Sequence, residues 1–454
     1  MTSASETEHP ATPPSDKEVR RAIGASAIGN ATEWYDYGVY AVVVAYITAN
    51  FFPGDGGTGT LLALATFAVS FLVRPLGGLV WGPLGDRIGR RRVLAMTIIL
   101  MAGATVCIGL LPTFDAIGWW APALLVLLRL VQGFSTGGEY GGAATFMAEY
   151  SPDRRRGFLG SFLEFGTILG FAFGTFVTLL LQLTLGEETM MDWGWRIPFL
   201  VAGPMGAIGL YLRSRLEDTP VFRELQDNDG IEAGAGTALK DLVAHYARPM
   251  LAMTGLVIAL NVTNYTLLSY MPTYLEGQIG LSANGALTLI LIGQVVMAAL
   301  LPFAGRLSDR FGRKPLWWAS LGGLFVAAVP MYLLIGTGFT GALIGFAVLG
   351  VLYVLQLSTI SATFPAMFPT QVRFAGFAVT YNLATALFGG TAPAANEALI
   401  NATGSLLVPA FYMMAACLVG MLALPFTRET AGQPITGTEI PGNPAPGEAL
   451  LHRA

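Results

Sequence analysis

The chain contains little charge, little cysteine and little histidine. Only 12% of its 454 residues are charged, whereas a soluble protein carries about 25%. The mean hydropathy is +0.59, and 54% of the residues are hydrophobic. The two cysteines, Cys107 and Cys417, lie far apart in apolar segments, which excludes a disulfide framework and a CxxC site. These features predict a polytopic membrane protein.

All three histidines, His9, His245 and His452, lie in polar tails or in a polar central linker. Histidine metal sites and histidine proton relays inside the membrane are therefore excluded, and carboxylates remain as proton carriers. No nucleophile–base pair, nucleotide-binding loop or metal cluster is evident, so an enzyme is not expected. The expected partners are a small zwitterionic or carboxylate substrate, a proton and membrane lipid, with no cofactor, metal or nucleic acid.

Twelve apolar segments of roughly 20–28 residues are each long enough to cross a bilayer. They lie near 22–50, 59–84, 92–112, 120–147, 157–185, 196–215, 248–276, 284–306, 315–336, 339–367, 374–401 and 405–426. The predicted architecture is all-α, with two six-helix bundles. Its five parts are an N-terminal tail (1–21), a first bundle (22–216), a linker (217–247), a second bundle (248–427) and a tail expected to be disordered (428–454).

The basic residues predict the orientation of the chain. Every lysine and arginine except Arg74, Arg129 and Arg196 falls on a tail or on loops of one parity. Because positive loops stay on the cytoplasmic side, both termini and the central linker are predicted to be cytoplasmic.

One loop sequence occurs twice, half a chain apart. GPLGDRIGRRRVL (Gly82–Leu94) recurs as GRLSDRFGRKPLW (Gly305–Trp317), each after the second span of its half. Such an internal repeat is typical of transporters whose pseudo-symmetric halves rock around a central site. Six charged residues of the two copies are predicted to act as latches that bond a neighbouring helix end. They are Asp86, Arg87, Arg90, Asp309, Arg310 and Arg313.

These motifs carry a family resemblance. The repeated loop resembles the loop motif of the major facilitator superfamily. GNATEWYDYGVY (Gly29–Tyr40) and RLVQGFSTGGEYGGA (Arg129–Ala143) resemble the metabolite:proton symporter branch, and NVTNYTLLSYMPTYL (Asn261–Leu275) is similar to bacterial proline/betaine transporters. The resemblance implies the major facilitator fold in a bacterial plasma membrane. It also implies proton-coupled symport of a zwitterionic osmoprotectant by alternating access.

Two carboxylates lie deep in the first span. Glu33 and Asp36 are three residues apart and share a helix face. Asp36 lies about 22 Å along the axis from the helix entry, close to the middle of a core roughly 30 Å thick. An ionised carboxylate there costs at least ~2.5 kcal/mol. We therefore predict that Asp36 binds the transported proton, with Glu33 and then Glu139 as further candidates.

Arg74 lies at the same depth in the second span, and we expect it to alternate between Asp36 and a substrate carboxylate. Arg129 is the alternative carboxylate ligand. Aromatic rings and amides are expected to hold the cationic end by cation–π attraction and hydrogen bonds. These residues are Trp34, Tyr37, Tyr40, Tyr265, Tyr381, Asn261 and Asn382.

Two other functions remain open from the sequence. A proton symporter for an organic acid, such as a ketoacid, dicarboxylate, tricarboxylate or an aromatic acid like shikimate, would use the same fold. A membrane receptor would not need both loop motifs and the intramembrane carboxylates.

Overall fold

The computed structural model describes residues 16–54, 56–88, 90–137, 139–214, 235–435, 437 and 439–441. These residues are largely helical, and none of them forms a strand. Lipid offers no hydrogen-bond partner to the backbone, so apolar segments of this length satisfy their polar groups within helices. Twelve helical spans overlap the twelve predicted segments.

The first six spans form the N-terminal half. They are span 1 (Asp16–Val42 and Val44–Phe51), span 2 (Gly56–Ile88), span 3 (Arg90–Leu110), span 4 (Trp120–Thr136 and Glu139–Tyr150), span 5 (Arg156–Thr189) and span 6 (Arg196–Ser214). Shorter turns connect them at Phe114–Ile117, Asp153–Arg155 and Met190–Gly194.

The other six spans form the C-terminal half. They are span 7 (Ala235–Asn264, continued by Tyr265–Tyr270, Met271–Thr273 and Tyr274–Gln278), span 8 (Ala283–Phe311), span 9 (Arg313–Ile335), span 10 (Phe339–Leu357 and Ile360–Thr363), span 11 (Arg373–Phe388 and Thr391–Thr403) and span 12 (Val408–Ala423). Single turns of 3₁₀-helix follow at Pro365–Met367 and Leu424–Phe426.

Seven spans of the described chain, 2, 5, 7, 8, 9, 10 and 12, are long and apolar enough to cross a membrane by composition alone. Of the remaining spans, 1, 4 and 11 carry buried charged side chains, and spans 4 and 11 are broken next to Gly137 and Gly389. Polar groups and broken helices in a membrane are tolerated where they are buried in protein. The irregular spans therefore mark the interior of the molecule.

Each half is held by neighbouring helices, and the most extensive contacts between the halves lie along two pairs of spans. Span 1 packs on span 5, span 3 on span 6 and span 2 on span 4, while span 9 packs on span 10 and span 7 on span 12. Between the halves, span 5 packs on span 8 and span 2 on span 11. Spans 1, 2, 4, 5, 7 and 11 thereby surround the centre of the molecule.

Glycines allow the backbones of spans 2 and 4 to touch. A Cβ added at Gly133 would lie 1.7 Å from the carbonyl oxygen of Ser70, and one at Gly137 would lie 2.1 Å from that of Arg74. No larger residue fits at these contacts without moving a helix. The close crossing brings span 4 side chains within reach of Arg74.

The C-terminal residues 427–435, here called the tail strap, pack against the bundles. The carboxylate of Glu429 accepts hydrogen bonds from the backbone N–H groups of Arg313 at 2.9 Å and Lys314 at 3.0 Å. A carboxylate at this position neutralises the positive end of a helix dipole. The strap therefore caps the start of span 9, and we call this end of the bundles the tail end.

The strap also bonds to both halves. The carbonyl of Gln433 accepts from Arg156 of span 5 at 2.9 Å, and that of Ile435 accepts from Arg373 of span 11. The Ile435 side chain is buried against Ala148 and Ala366. The prediction of disorder is therefore wrong for residues 428–435, because two buried arginines need acceptors that the strap supplies. Predictions for residues 1–15, 215–234 and 442–454 lie outside the described residues.

Candidate functional site

Arg74 of span 2 is fully buried and held by three neighbours. Its Nη2 lies 3.6 Å from Oε1 of Glu33 and donates to the hydroxyl of Tyr37 at 3.0 Å. Its Nε donates to the hydroxyl of Thr136 at 3.0 Å. The centre of the Phe71 ring lies 4.7 Å from the guanidinium carbon. A ligand carboxylate that binds Arg74 therefore has to compete with Glu33.

The expected pair between Arg74 and Asp36 is not formed, so that prediction is wrong in this structure. Helical residues advance by about 100°, which leaves Asp36 about 60° around the axis from Glu33. The carboxylate of Asp36 consequently faces span 3, where the hydroxyl of Thr105 donates to Oδ2 at 2.8 Å. Glu33 takes the place beside Arg74.

A chain of hydrogen bonds connects Asp36 to a second buried arginine, Arg129. The hydroxyl of Thr105 accepts from Nε2 of Gln132 at 2.6 Å, and Oε1 of Gln132 accepts from Nη1 of Arg129 at 2.8 Å. Thr105 Oγ1 also lies 2.9 Å from the carbonyl oxygen of Met101, a second acceptor for its single proton. Thr105 was not predicted as a site residue, because a single threonine on an apolar helix cannot be recognised as functional before its partner, Asp36, is known.

Arg129 lies against aromatic faces. Its guanidinium carbon is 4.1 Å from the centre of the Tyr40 ring and 5.1 Å from that of Phe67. Its Nε and Nη2 are buried and have no hydrogen-bond partner in the described part of the chain. These two nitrogens form the edge of a guanidinium that can receive both oxygens of one carboxylate. Arg129 thus presents an unoccupied donor edge.

The aromatic residues predicted to hold substrate come together from both halves. The ring centre of Trp34 lies 5.6 Å from that of Tyr37 and 6.4 Å from that of Tyr265 in span 7. Tyr381 of span 11 stacks on Tyr140 of span 4 with centres 4.5 Å apart. The hydroxyl of Tyr265 is buried without a hydrogen-bond partner among the described residues. One aromatic layer therefore crosses the interface between the halves.

The two predicted amides lie in different surroundings. Asn382 crosses the interface, since its Nδ2 donates to the carbonyl of Gly137 at 2.8 Å. Asn261 donates to the hydroxyl of Thr385 at 2.9 Å, within the C-terminal half. The side chain of Glu139, the third proton candidate, lies outside the described part of the structure.

Asp309 joins the two halves at the tail end. Its two carboxylate oxygens accept from the backbone N–H groups of Gly157 and Phe158, each at 2.8 Å. Arg313 donates to the same carboxylate at 2.8 Å, whereas the side chain of Arg310 is exposed. Asp309 therefore caps the first turn of span 5 from the opposite half, which is the geometry expected of a latch.

A second ion pair crosses the halves at the same end. Nη1 of Arg373 in span 11 donates to Glu149 of span 4 at 3.0 Å. No sequence pattern pairs these two residues, which are distant along the chain. The other predicted latch residues, Asp86, Arg87 and Arg90, have side chains outside the described part of the structure.

Fold and site together define a polytopic membrane protein of two helical bundles with a buried, charged site between them. Residues 26–393 match the family model of the Major Facilitator Superfamily. The chain is 45% identical, over 93% of its length and 86% of the relative's, to the glycine betaine/proline/ectoine/pipecolic acid transporter OusA of Dickeya dadantii (strain 3937). It is 44% identical over the same shares to the proline/betaine transporter of Escherichia coli (strain K12).

The chain belongs to the Major Facilitator Superfamily. Its fold is similar to that of the proton:xylose symporter XylE bound to 6-bromo-6-deoxy-D-glucose, with a TM-score of 0.73. The similarity covers 92% of this chain and 98% of that one at 17% identity. The predictions of this fold, and of a transporter rather than an enzyme, are confirmed.

Proposed function

We propose that the chain is a proton-coupled symporter for zwitterionic osmoprotectants such as proline and glycine betaine. The two relatives that are 45% and 44% identical to this chain are transporters of betaine and proline, which supports this substrate class. We further infer that the protein resides in a bacterial plasma membrane with both termini in the cytoplasm, because its basic loops have one parity. The tail end is then the cytoplasmic end, and the tail-end contacts hold that side together.

The distribution of charge around the centre carries the proposal. The deep cations Arg74 and Arg129 and the deep carboxylates Glu33 and Asp36 all belong to the N-terminal half. The described spans of the C-terminal half contribute amides and rings to the centre, such as those of Asn382 and Tyr381. A zwitterion needs one cation for its carboxylate and an anion or π faces for its ammonium group. This arrangement supplies both.

Asp36 can take up a proton without leaving a neighbour unpaired. When Asp36 is ionised, the single proton of Thr105 points to it. When Asp36 is protonated, Thr105 can donate to the carbonyl of Met101 instead and accept the new proton's hydrogen bond. No buried donor is lost in this exchange, so the large penalty for an unsatisfied polar group is avoided. The bond from Gln132 to Thr105 is kept in both states, so the chain to Arg129 stays intact.

Competition for Arg74 supplies the coupling to substrate. Glu33 lies 3.6 Å from Arg74 in this structure. A proton on Glu33 removes its charge and frees the guanidinium for the substrate carboxylate. Proton and substrate then stabilise the same loaded state, and linkage requires that each raises the affinity for the other. Glu33 is therefore the carboxylate that competes with substrate, and the transported proton, first bound at Asp36, has to pass to Glu33 before Arg74 is freed.

Uptake into proteoliposomes with an imposed pH gradient tests the proposal. Labelled proline and glycine betaine should accumulate when the outside is acidic, compete with each other and leak out when a protonophore is added. Uptake without any response to the gradient would contradict proton coupling.

A symporter of organic acids is the second candidate, because two buried guanidiniums could bind two carboxylates. The unoccupied edge of Arg129 favours it. Uptake of dicarboxylates but not of zwitterions in the same assay would support this candidate over the first.

A further inference from the structure

Glu164 of span 5 is a buried carboxylate that the mechanism above does not use. Its exposed fraction is 2%. The hydroxyl of Tyr140 donates to Oε1 at 2.5 Å, and no ion pair involves Glu164 in the part of the chain that the structure describes. An ionised carboxylate buried without a cation is strongly unfavourable. Tyr140 and Thr167 provide hydrogen bonds to Glu164, but an ionised Glu164 also needs a cation, and the described chain places none beside it.

The surroundings of Glu164 belong to the central site. The ring of Tyr140 stacks on Tyr381 of the opposite half, with centres 4.5 Å apart and planes at 20°. Trp34 lies edge-on to Tyr140 at 6.5 Å. Trp34 also lies 5.6 Å from Tyr37, whose hydroxyl accepts from the guanidinium of Arg74. Trp34 therefore contacts one ring that is bonded to a cation and another that is bonded to the carboxylate of Glu164.

We propose that Glu164 is the anionic pole of the substrate site and contacts the ammonium group of the zwitterion. The inference rests on the proposed function and assigns one end of its substrate. A quaternary ammonium group has no N–H to donate, so it needs a negative charge and aromatic faces. Glu164, Tyr140, Tyr381 and Trp34 provide these together, and a secondary ammonium group can also donate to the carboxylate.

Binding exchanges one partner of Glu164 for another. The hydroxyl of Tyr140 occupies Oε1 in this structure. The incoming ammonium group displaces that hydroxyl, while the ring of Tyr140 stays to cover the cation. Tyr140 is thus a positioning residue whose hydroxyl competes with the substrate and whose ring supports it.

Two ligands of equal shape separate the charge of the ammonium group from its volume. Glycine betaine carries a quaternary nitrogen, and 3,3-dimethylbutyrate has carbon in its place. Equilibrium binding of both to the purified full chain is measured by calorimetry. Glu164→Gln should weaken the binding of glycine betaine by about tenfold or more, because it removes the partner of a buried charge. The affinity for 3,3-dimethylbutyrate should stay unchanged.

Glu397 offers a matched control. It is a buried glutamate, 3% exposed, that accepts from the hydroxyl of Tyr270 at 2.6 Å, and Glu397→Gln should change neither affinity. Tyr140→Phe keeps the ring and removes the competing hydroxyl, so betaine binding should hold or tighten. A residue with a merely structural role would weaken binding in both Glu164→Gln and Tyr140→Phe.

The possible outcomes separate the inference from the proposed function. Equal binding of glycine betaine by the parent and Glu164→Gln would overturn the assignment of Glu164 alone, as would an equal loss for both ligands. Unchanged binding with a lost pH dependence of uptake would make Glu164 a proton carrier and also overturn it. A parent that binds organic acids but no ammonium compound would overturn the inference and the proposed function together.

Discussion

Replacing Asp309 by asparagine should open the tail end of the transporter. Both carboxylate oxygens of Asp309 accept backbone N–H groups of span 5, from Gly157 and Phe158. In asparagine one of these oxygens becomes an NH₂ group, which cannot accept. At least one N–H then loses its partner, and the negative charge at the helix start is lost as well.

The free energy lost in Asp309→Asn depends on which hydrogen bonds of Asp309 join the two halves. The bond from Arg313 to Asp309 lies within the C-terminal half and survives opening, so it does not count. A hydrogen bond to a charged group contributes about 1.5–3 kcal/mol, and a charge at a helix start about 0.3–1 kcal/mol. A total of about 2–4 kcal/mol would lower the ratio of closed to open protein roughly 30- to 700-fold.

A cysteine introduced at a buried position of the interface can report the opening of the tail end. Ser361 of span 10 is fully buried and lies 3.1 Å from where a Cβ on Gly160 would be. In a background that lacks Cys107 and Cys417, Ser361→Cys should react with an impermeant maleimide added from the tail end. The reaction should be faster in Asp309→Asn than in the parent.

Asp153→Asn is the control for this experiment. Asp153 also pairs with an arginine at the tail end, Arg156, but both residues belong to the N-terminal half. Its replacement should leave the labelling rate unchanged. If Asp309→Asn labels no faster than Asp153→Asn, the carboxylate of Asp309 does not hold the halves together and the latch is refuted.

Three further predictions address the site and the packing. Asp36→Asn should abolish uptake driven by a pH gradient in proteoliposomes, and normal uptake with a normal pH dependence would show that the proton binds elsewhere. Arg74→Lys should weaken equilibrium binding of glycine betaine about tenfold or more because the planar fork is lost; parent-like binding by both Arg74→Lys and Arg74→Ala would argue against this role. Gly133→Ala should lower the thermal unfolding temperature, since the added methyl meets the carbonyl of Ser70 at 1.7 Å and overpacking costs about 1–3 kcal/mol. Gly103→Ala, with nothing within 4 Å, is its control, and equal unfolding temperatures would contradict the tight crossing.

The sequence predicts the number of spans well, because hydrophobic length is a property of each segment alone. It also predicts that Glu33, Asp36 and Arg74 lie deep, since depth depends only on distance along a helix. Which carboxylate meets Arg74 depends on the rotation of spans 1 and 2 about their axes, and no local pattern records that rotation. Glu33 therefore occupies the position beside Arg74 that was predicted for Asp36.

Contacts between segments that are distant along the chain could not be predicted from the sequence either. The pair of Tyr140 with Glu164 requires spans 4 and 5 to be packed before it can be recognised. The tail contains many prolines and glycines, which favoured disorder, yet the buried Ile435 and the capping Glu429 order its first part. The tail contains two isoleucines, Ile435 and Ile440, and their local sequence does not indicate that Ile435 is the buried one.

The tail strap behaves as a ligand that the protein carries on a tether. Only a short stretch separates Phe426, at the end of the last helix, from Gln433, whose carbonyl binds Arg156 of the other half. A short tether keeps the effective concentration of its end in the millimolar range, and lengthening the tether dilutes it. Relatives with an identical transport site but a longer or shorter stretch here would therefore spend different fractions of time closed. Natural variation in a few residues far from the substrate would set how fast the transporter turns over.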